Sequence, residues 1–108
     1  MFGNLGGMLN KVQEIQKNIQ KIKSEMEESI FEGSSENGLV KISLNGKLDP
    51  VKVLIDSELQ KLLDNERLNK LVLLAIQDAT NKVKDEYKRR LNELTGGMPL
   101  PAGIGLPF

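Results

Sequence analysis

The 108-residue chain has no cysteine, no histidine and no tryptophan, and only one tyrosine and three phenylalanines. Without cysteine there is no disulfide and no thiolate metal site, and the composition suits a reducing compartment. Without histidine the commonest general base and the commonest metal ligand are both missing. Ser29, Ser34, Ser35 and Ser43 therefore have no imidazole to activate them. Lysine-activated serine is the formal route to a nucleophile that remains. Glu27 and Glu28 are neighbours in sequence and do not share a helix face; the same holds for Asp85 and Glu86. Neither glycine-rich phosphate-binding pattern, Gly-x-x-x-x-Gly-Lys-Ser/Thr or Gly-x-Gly-x-x-Gly, occurs. The expectation is a protein that is not an enzyme and has no catalytic, cofactor-binding or metal-ligating residues.

Net charge is also missing. Fifteen basic and fifteen acidic side chains cancel, so no overall field draws in nucleic acid or an anionic membrane. No apolar run approaches the ~18 residues of a membrane span. Residues 1–8 place no basic residue ahead of an apolar run, so they do not read as a signal peptide. The reading is one cytoplasmic domain.

What the chain does have is periodicity. Leu5, Met8, Val12, Ile15, Ile19, Ile22 and Met26 recur at alternating spacings of three and four. That is a coiled-coil-like seam of period 3.5, and it needs a partner helix. Gly3, Gly6 and Gly7 weaken the start, so the helix is expected to fray before Met8, with Asn4 as cap, and to end near Glu28. Residues 30–33 read as a short strand. Val40, Ile42 and Leu44 alternate with Lys41, Ser43 and Asn45, a strand with one dry face. Asn45-Gly46 signals a tight hairpin. Val51, Val53 and Ile55 share one face of a third strand, and Pro50 at its start implies an edge or a bulge. Leu59, Leu62 and Leu63 suggest one or two helical turns.

Asp64 or Asn65 then caps a second long helix, from Glu66 to about Leu94. Its stripe is Leu68, Leu71, Val72, Ala75, Ala79, Val83, Tyr87, Leu91 and Leu94. Leu74 and Ile76 widen the stripe where the helix is expected to lie on the sheet. Gly96-Gly97 stops it. The fold class is α+β: long helix, three-stranded antiparallel meander, long helix over residues 1–95, then a Gly/Pro-rich apolar tail, 96–108. The tail is either a polyproline-like docking strip or plain disorder. So small a sheet cannot cover two such rods, so a homodimer is expected, with central sheets and protruding helical arms.

The cancelled total conceals local segregation. Through Lys23, four lysines (Lys11, Lys17, Lys21, Lys23) face one acid, Glu14, a net of +3. Lys82, Lys84, Lys88, Arg89 and Arg90 face Asp85 and Glu86, again +3. Lysines on a wet helix face commonly do no more than solvate it. Spacings of four, as in Lys17/Lys21 and Lys84/Lys88, also suit straddling phosphates of duplex DNA. Aromatic residues are too few for single-strand recognition by base stacking, and Tyr87 fits the core stripe.

Met1-Phe2-Gly3-Asn4-Leu5-Gly6, the stretch from Gly38-Leu39-Val40-Lys41-Ile42 to Asn45-Gly46, and Val53-Leu54-Ile55-Asp56 form a recognisable series. Ala75-Ile76-Gln77-Asp78-Ala79, Leu94-Thr95-Gly96-Gly97-Met98 and Leu106-Pro107-Phe108 complete it. In this order they resemble the YbaB/EbfC family of bacterial nucleoid-associated proteins, essentially end to end. The resemblance implies a cytoplasmic, nucleoid-located homodimer that binds duplex DNA and organises or bends it, with an effect on gene expression. On the charge map the phosphate contacts are Lys11, Lys17, Lys21, Lys23, Lys82, Lys84, Lys88, Arg89 and Arg90, with Gln13 or Gln20 as base readers. The competing reading is an adaptor that recruits a DNA-repair or recombination protein through its helical seams and tail.

Overall fold

The computed structural model describes residues 2–58, 61 and 64–97, with side chains from residue 6 onward. Helix α1 spans Phe2–Glu28, strands β1, β2 and β3 span Ile30–Ser34, Val40–Asn45 and Pro50–Ile55, and helix α2 spans Asn65–Thr95. The class is α+β, as the patterning implies. The Leu5 side chain, the turns around Leu59, Leu62 and Leu63, and the tail from Met98 onward lie outside the described residues.

The sheet is an antiparallel meander in the order β1-β2-β3. β1 pairs with β2 from Ile30 opposite Asn45 to Ser34 opposite Lys41. β2 pairs with β3 from Val40 opposite Ile55 to Ser43 opposite Lys52. The register then slips, and Pro50 lies opposite Leu44. Proline thus sits on an edge strand and at a bulge, where its missing N–H costs least.

Asn45-Gly46 does not make the tight hairpin that the dipeptide signals. The connection to Pro50 is longer, and the left-handed residue in it is Leu48, at φ 67°. Asn45 Oδ1 organises the loop by accepting from the N–H groups of Lys47 (2.8 Å) and Asp49 (3.1 Å). Gly46 is needed for proximity instead. Its N–H donates to Met26 O at 2.9 Å, and a Cβ there would overlap the Met26 backbone.

Asp64 caps α2, its carboxylate accepting from Arg67 N at 2.8 Å. Gly96, at φ 63°, ends it with a left-handed turn whose N–H returns to Asn92 O. α1 starts at Phe2 rather than fraying before Met8, and Asn4 lies inside it. Extending an existing helix adds one hydrogen bond per residue fixed, which outweighs the roughly 1 kcal/mol cost of each glycine.

Two apolar clusters hold the chain. In the first, Ala75 and Ala79 of α2 lie on Val40, Ile42 and Leu44 of β2. Gly33 lets β1 approach so closely that a methyl group there would overlap Ala79 N and Ala75 O. This line of small residues sets the orientation of α2. At about 100° per residue, Leu74 and Ile76 fall to either side of it. They are 42% and 40% exposed, so the expectation that they lie on the sheet is corrected. α2 packs chiefly on β1 and β2. Val51 and Val53, on the shared face of β3, are 55% and 54% exposed.

In the second cluster, Val83, Tyr87 and Leu91 of α2 enclose Ile19 and Met26 of α1. Ile15, Ile22 and Leu94 are partly buried against them. α1 enters the sheet through Ser29 and α2 leaves it beyond Ala79, so the helices run antiparallel. The seam is partnered only from Ile15 to Met26; Met8 and Val12 are exposed. The molecule measures 71 × 21 × 18 Å, with a radius of gyration of 19.3 Å. A compact chain of this length would have about 13 Å.

Gly33→Ala is expected to cost about 3 kcal/mol and lower Tm by roughly 10–20 °C. Gly6→Ala, where an added Cβ meets nothing within 4 Å, is expected to hold or raise stability by up to about 1 kcal/mol. Thermal unfolding of the two variants checks this, and equal effects would contradict the close-approach argument.

Candidate nucleic-acid interface

The nine cations singled out by charge fall on different surfaces of one helical pair. Helix geometry puts Lys17 on the face of α1 opposite the Ile15–Ile19–Ile22–Met26 seam and turns Lys21 toward the flank that borders α2. Lys11 lies on a flank of the same helix. Lys23 is half-buried beside the seam, and Lys84 is half-buried on α2, one turn from the exposed Lys88. Among the described residues, no ion pair engages Lys11, Lys17, Lys21, Lys23 or Lys88.

Lys82, Arg89 and Arg90 are committed within the chain. Lys82 Nζ donates to Glu32 O at 2.8 Å and lies 3.4 Å from Asp78. Asp78 Oδ2 in turn accepts from Ser34 N at 3.0 Å. These contacts fasten α2 to the edge strand β1. The Ser34 N–H is the main reason that the Asp78 carboxyl titrates below its usual range, with Lys82 adding to the effect.

Arg89 grips Glu86 through Nε at 3.1 Å and Nη2 at 2.6 Å, and also bonds Glu93. Arg90 donates from Nε to Glu86 at 2.9 Å and from Nη1 to Glu25 of α1 at 3.1 Å. Glu86 is held by both guanidiniums, and its pKa falls from 4.5 to about 2. An open groove of about 510 Å³ runs along this side, where Lys21, Arg89 and Arg90 alternate with Glu25 and Glu93. Its sign is mixed. Sequence reasoning missed this network, although Glu86 and Glu93 stand three or four residues from the arginines. The Glu25–Arg90 link, 65 residues apart, has no local signal.

Tyr87 is buried, 1% exposed, and belongs to the core. Its hydroxyl pKa is raised, mainly by burial and secondarily by Glu27. No group of three Asp, Glu, His or Cys side chains is arranged to hold a metal ion among the described residues. No helix among them is long and apolar enough to cross a membrane. The chemistry on offer is a rod with a lysine-bearing outer face, stiffened by internal ion pairs.

Two long amphipathic helices on a three-stranded antiparallel sheet define a small α+β protein. Residues 1–98 match the model of the YbaB/EbfC DNA-binding family, and the chain belongs to that family. It is 36% identical over 108 residues to a nucleoid-associated protein of Xanthomonas campestris pv. campestris, covering all of both chains. It is 37% identical to one of Xylella fastidiosa, covering all of this chain and 99% of that one. A crystal structure of an uncharacterized Helicobacter pylori protein superposes with a TM-score of 0.68 at 25% identity, covering 89% of this chain and 98% of that one.

The Glu86 network carries a pH signature. Its folded pKa lies below the ordinary value, so its contribution to stability is complete above about pH 4.5 and is lost as the pH falls through about 2. Glu86→Gln is expected to unfold with a flatter dependence of Tm on pH over that window. A slope equal to that of the unsubstituted protein would show that the network contributes nothing.

Proposed function

We propose that the protein is a nucleoid-associated homodimer that holds duplex DNA on its helical arms, chiefly through phosphates, and organises or bends it. Family membership supplies DNA as the partner. The curated relatives are named nucleoid-associated proteins, which supports a place at the nucleoid in the cytoplasm. The observation that carries the phosphate reading is the set of lysines with no ion pair among the described residues. Lys11, Lys17 and Lys21 extend over about 15 Å of α1, and duplex DNA presents a charge every ~1.7 Å of axis. Lys23 and Lys88 belong to the same set, and Lys84 adds its charge one turn from Lys88. Lys82, Arg89 and Arg90 first hold the arm together. Gln13 and Gln20, on the wet side of α1, are the base-reading side chains in this proposal.

Dimerisation is supported by the sheet. β3 is an edge strand with Val51, Val53 and Leu54 about half exposed. A second copy would cover that apolar surface and the unpaired strand edge. Two sets of arms would then act on one duplex, and gene expression would respond to where they bind.

Alanine at Lys17, Lys21, Lys84 and Lys88 together is expected to weaken duplex binding at least tenfold. It should also flatten the salt dependence, by about 0.9 in the log–log slope for each phosphate no longer neutralised. Sedimentation of the unsubstituted chain at micromolar concentration is expected to give twice 12.0 kDa. Unchanged affinity in the first experiment removes these lysines from the interface, and a folded monomer in the second removes the dimer.

A second reading, an adaptor for a repair or recombination protein, is favoured by Leu73, which is 66% exposed on α2. Leu73→Ser is expected to leave duplex affinity unchanged. Loss of function in cells would then support recruitment through this face, and retained function would count against it.

A further inference from the structure

The ion-pair chain along the α1–α2 groove has an inner and an outer end. At the inner end Arg90 and Glu86, each with its side chain 26% exposed, bond to one another, and Arg90 reaches Glu25 of α1. At the outer end the Arg89 side chain is 56% exposed and that of Glu93 66%. Order along the helix separates the two ends as well. Glu86 precedes Arg89 by three residues and Arg90 by four, the favoured acid-first arrangement. Arg89 precedes Glu93 by four, the weaker cation-first arrangement. Glu93 also stands in the last turn of α2, where the partial negative charge of the helix end repels a carboxylate and no basic residue offsets it. An exposed pair of this kind is screened by salt and adds little to stability. Its consequence is instead that Arg89 is occupied.

The two carboxylates hold different parts of the Arg89 guanidinium. Nε and Nη2 face Glu86, at 3.1 and 2.6 Å, and this two-point grip fixes the plane of the group. Nη1 holds Glu93. Each Nη nitrogen keeps a second N–H beyond the one it gives to a carboxylate. Arg89 and Glu93 both line the open groove that Asn18 and Lys21 of α1 border from the other side.

We infer that Glu93 is a displaceable counterion, and that Arg89 becomes a phosphate contact when a phosphate of the duplex takes the place of that carboxylate on Nη1. This rests on the DNA reading above. Glu86 keeps its grip throughout, so the guanidinium is already oriented and offers Nη1 and Nη2 together, a two-point geometry that suits phosphate. Lys21 adds a second positive charge from across the groove. A lone phosphate gains this one site and must displace a carboxylate to do so, whereas a duplex also engages the lysines of the arm. Glu93 thus favours a polyanion over small anions. The exchange has a salt signature. A phosphate neutralised by a free cation adds about 0.9 to the log–log salt slope through the counterions released. Here Glu93 takes up a counterion as Arg89 leaves it, so in the unsubstituted chain the contact adds almost nothing to the slope.

Glu93→Gln in the full-length chain is expected to tighten duplex binding about threefold at low salt and to steepen the log–log salt slope by about 0.9. Arg89→Gln added to Glu93→Gln is expected to abolish both changes, while Arg90 still holds Glu86. A gain that persists without Arg89 would be general charge repulsion and would overturn the inference, as would no gain at all. A second measurement leaves the chain unaltered. Its arginines are three, Arg67, Arg89 and Arg90. On titration with a short duplex at low salt, the Nε–Hε NMR signal of Arg89 is expected to shift and that of Arg90, held by Glu86 and Glu25, to stay. An Arg89 signal that stays while the amides of residues 11–21 respond would overturn the exchange alone. No response anywhere would overturn the DNA reading together with it.

Discussion

The antiparallel seam between the C-terminal halves of α1 and α2 is the contact on which the architecture depends. Beyond the sheet, Ile19 and Met26 against Val83, Tyr87 and Leu91 are the buried core of the arm. Each fully buried side chain of this size contributes about 1.5–3 kcal/mol, whereas a solvent-facing ion pair contributes about 0–1. The seam therefore holds the helices together, and the Glu25–Arg90–Glu86 contacts fix how they sit against one another. The result is a rod that keeps the lysines of both helices at set positions, where a flexible arm would lose ordering entropy on each contact.

The sheet serves as the anchor for that rod. Two close approaches make the anchor rigid, Gly33 on the backbone of α2 and Gly46 on the C-terminal end of α1. Each removes a side chain so that backbone meets backbone, and each fixes the position of one helix. The cost falls on β3. Because α2 is drawn toward β1, the third strand keeps an uncovered apolar face. In the proposed dimer a second subunit would cover that face.

Much of this was legible in the chain. The 3.5-residue period of α1 identified Ile15, Ile19, Ile22 and Met26 as partnered, because a heptad line is stable only when a second helix covers it. The alternation through Val40, Ile42 and Leu44 identified one buried face of β2, but Ser43, expected on the wet face, is buried as well. Pro50 announced an edge or a bulge, and it sits at both. Other features depend on contacts between distant segments. Leu74 and Ile76 look like core by hydropathy, yet Gly33, Ala75 and Ala79 set an approach line that turns both aside. Gly46 reads as a turn glycine, but what it accommodates is Met26, twenty residues earlier. Among the cations, charge counting could not separate Arg90, committed to Glu25 across the helix pair, from Lys17, which faces water. Local charge density is visible in sequence, whereas its neutralisation by a remote partner is not.

The central claim is that the lysine-bearing faces of the α1–α2 rod, rather than the sheet, meet the duplex. Amide NMR of the isotope-labelled protein titrated with a short DNA duplex at low salt tests it most directly. The account predicts shift changes concentrated over residues 11–21 and 84–88, reversed by added salt, with β3 unaffected by the DNA. Changes confined to the strands, or insensitive to salt, would contradict it.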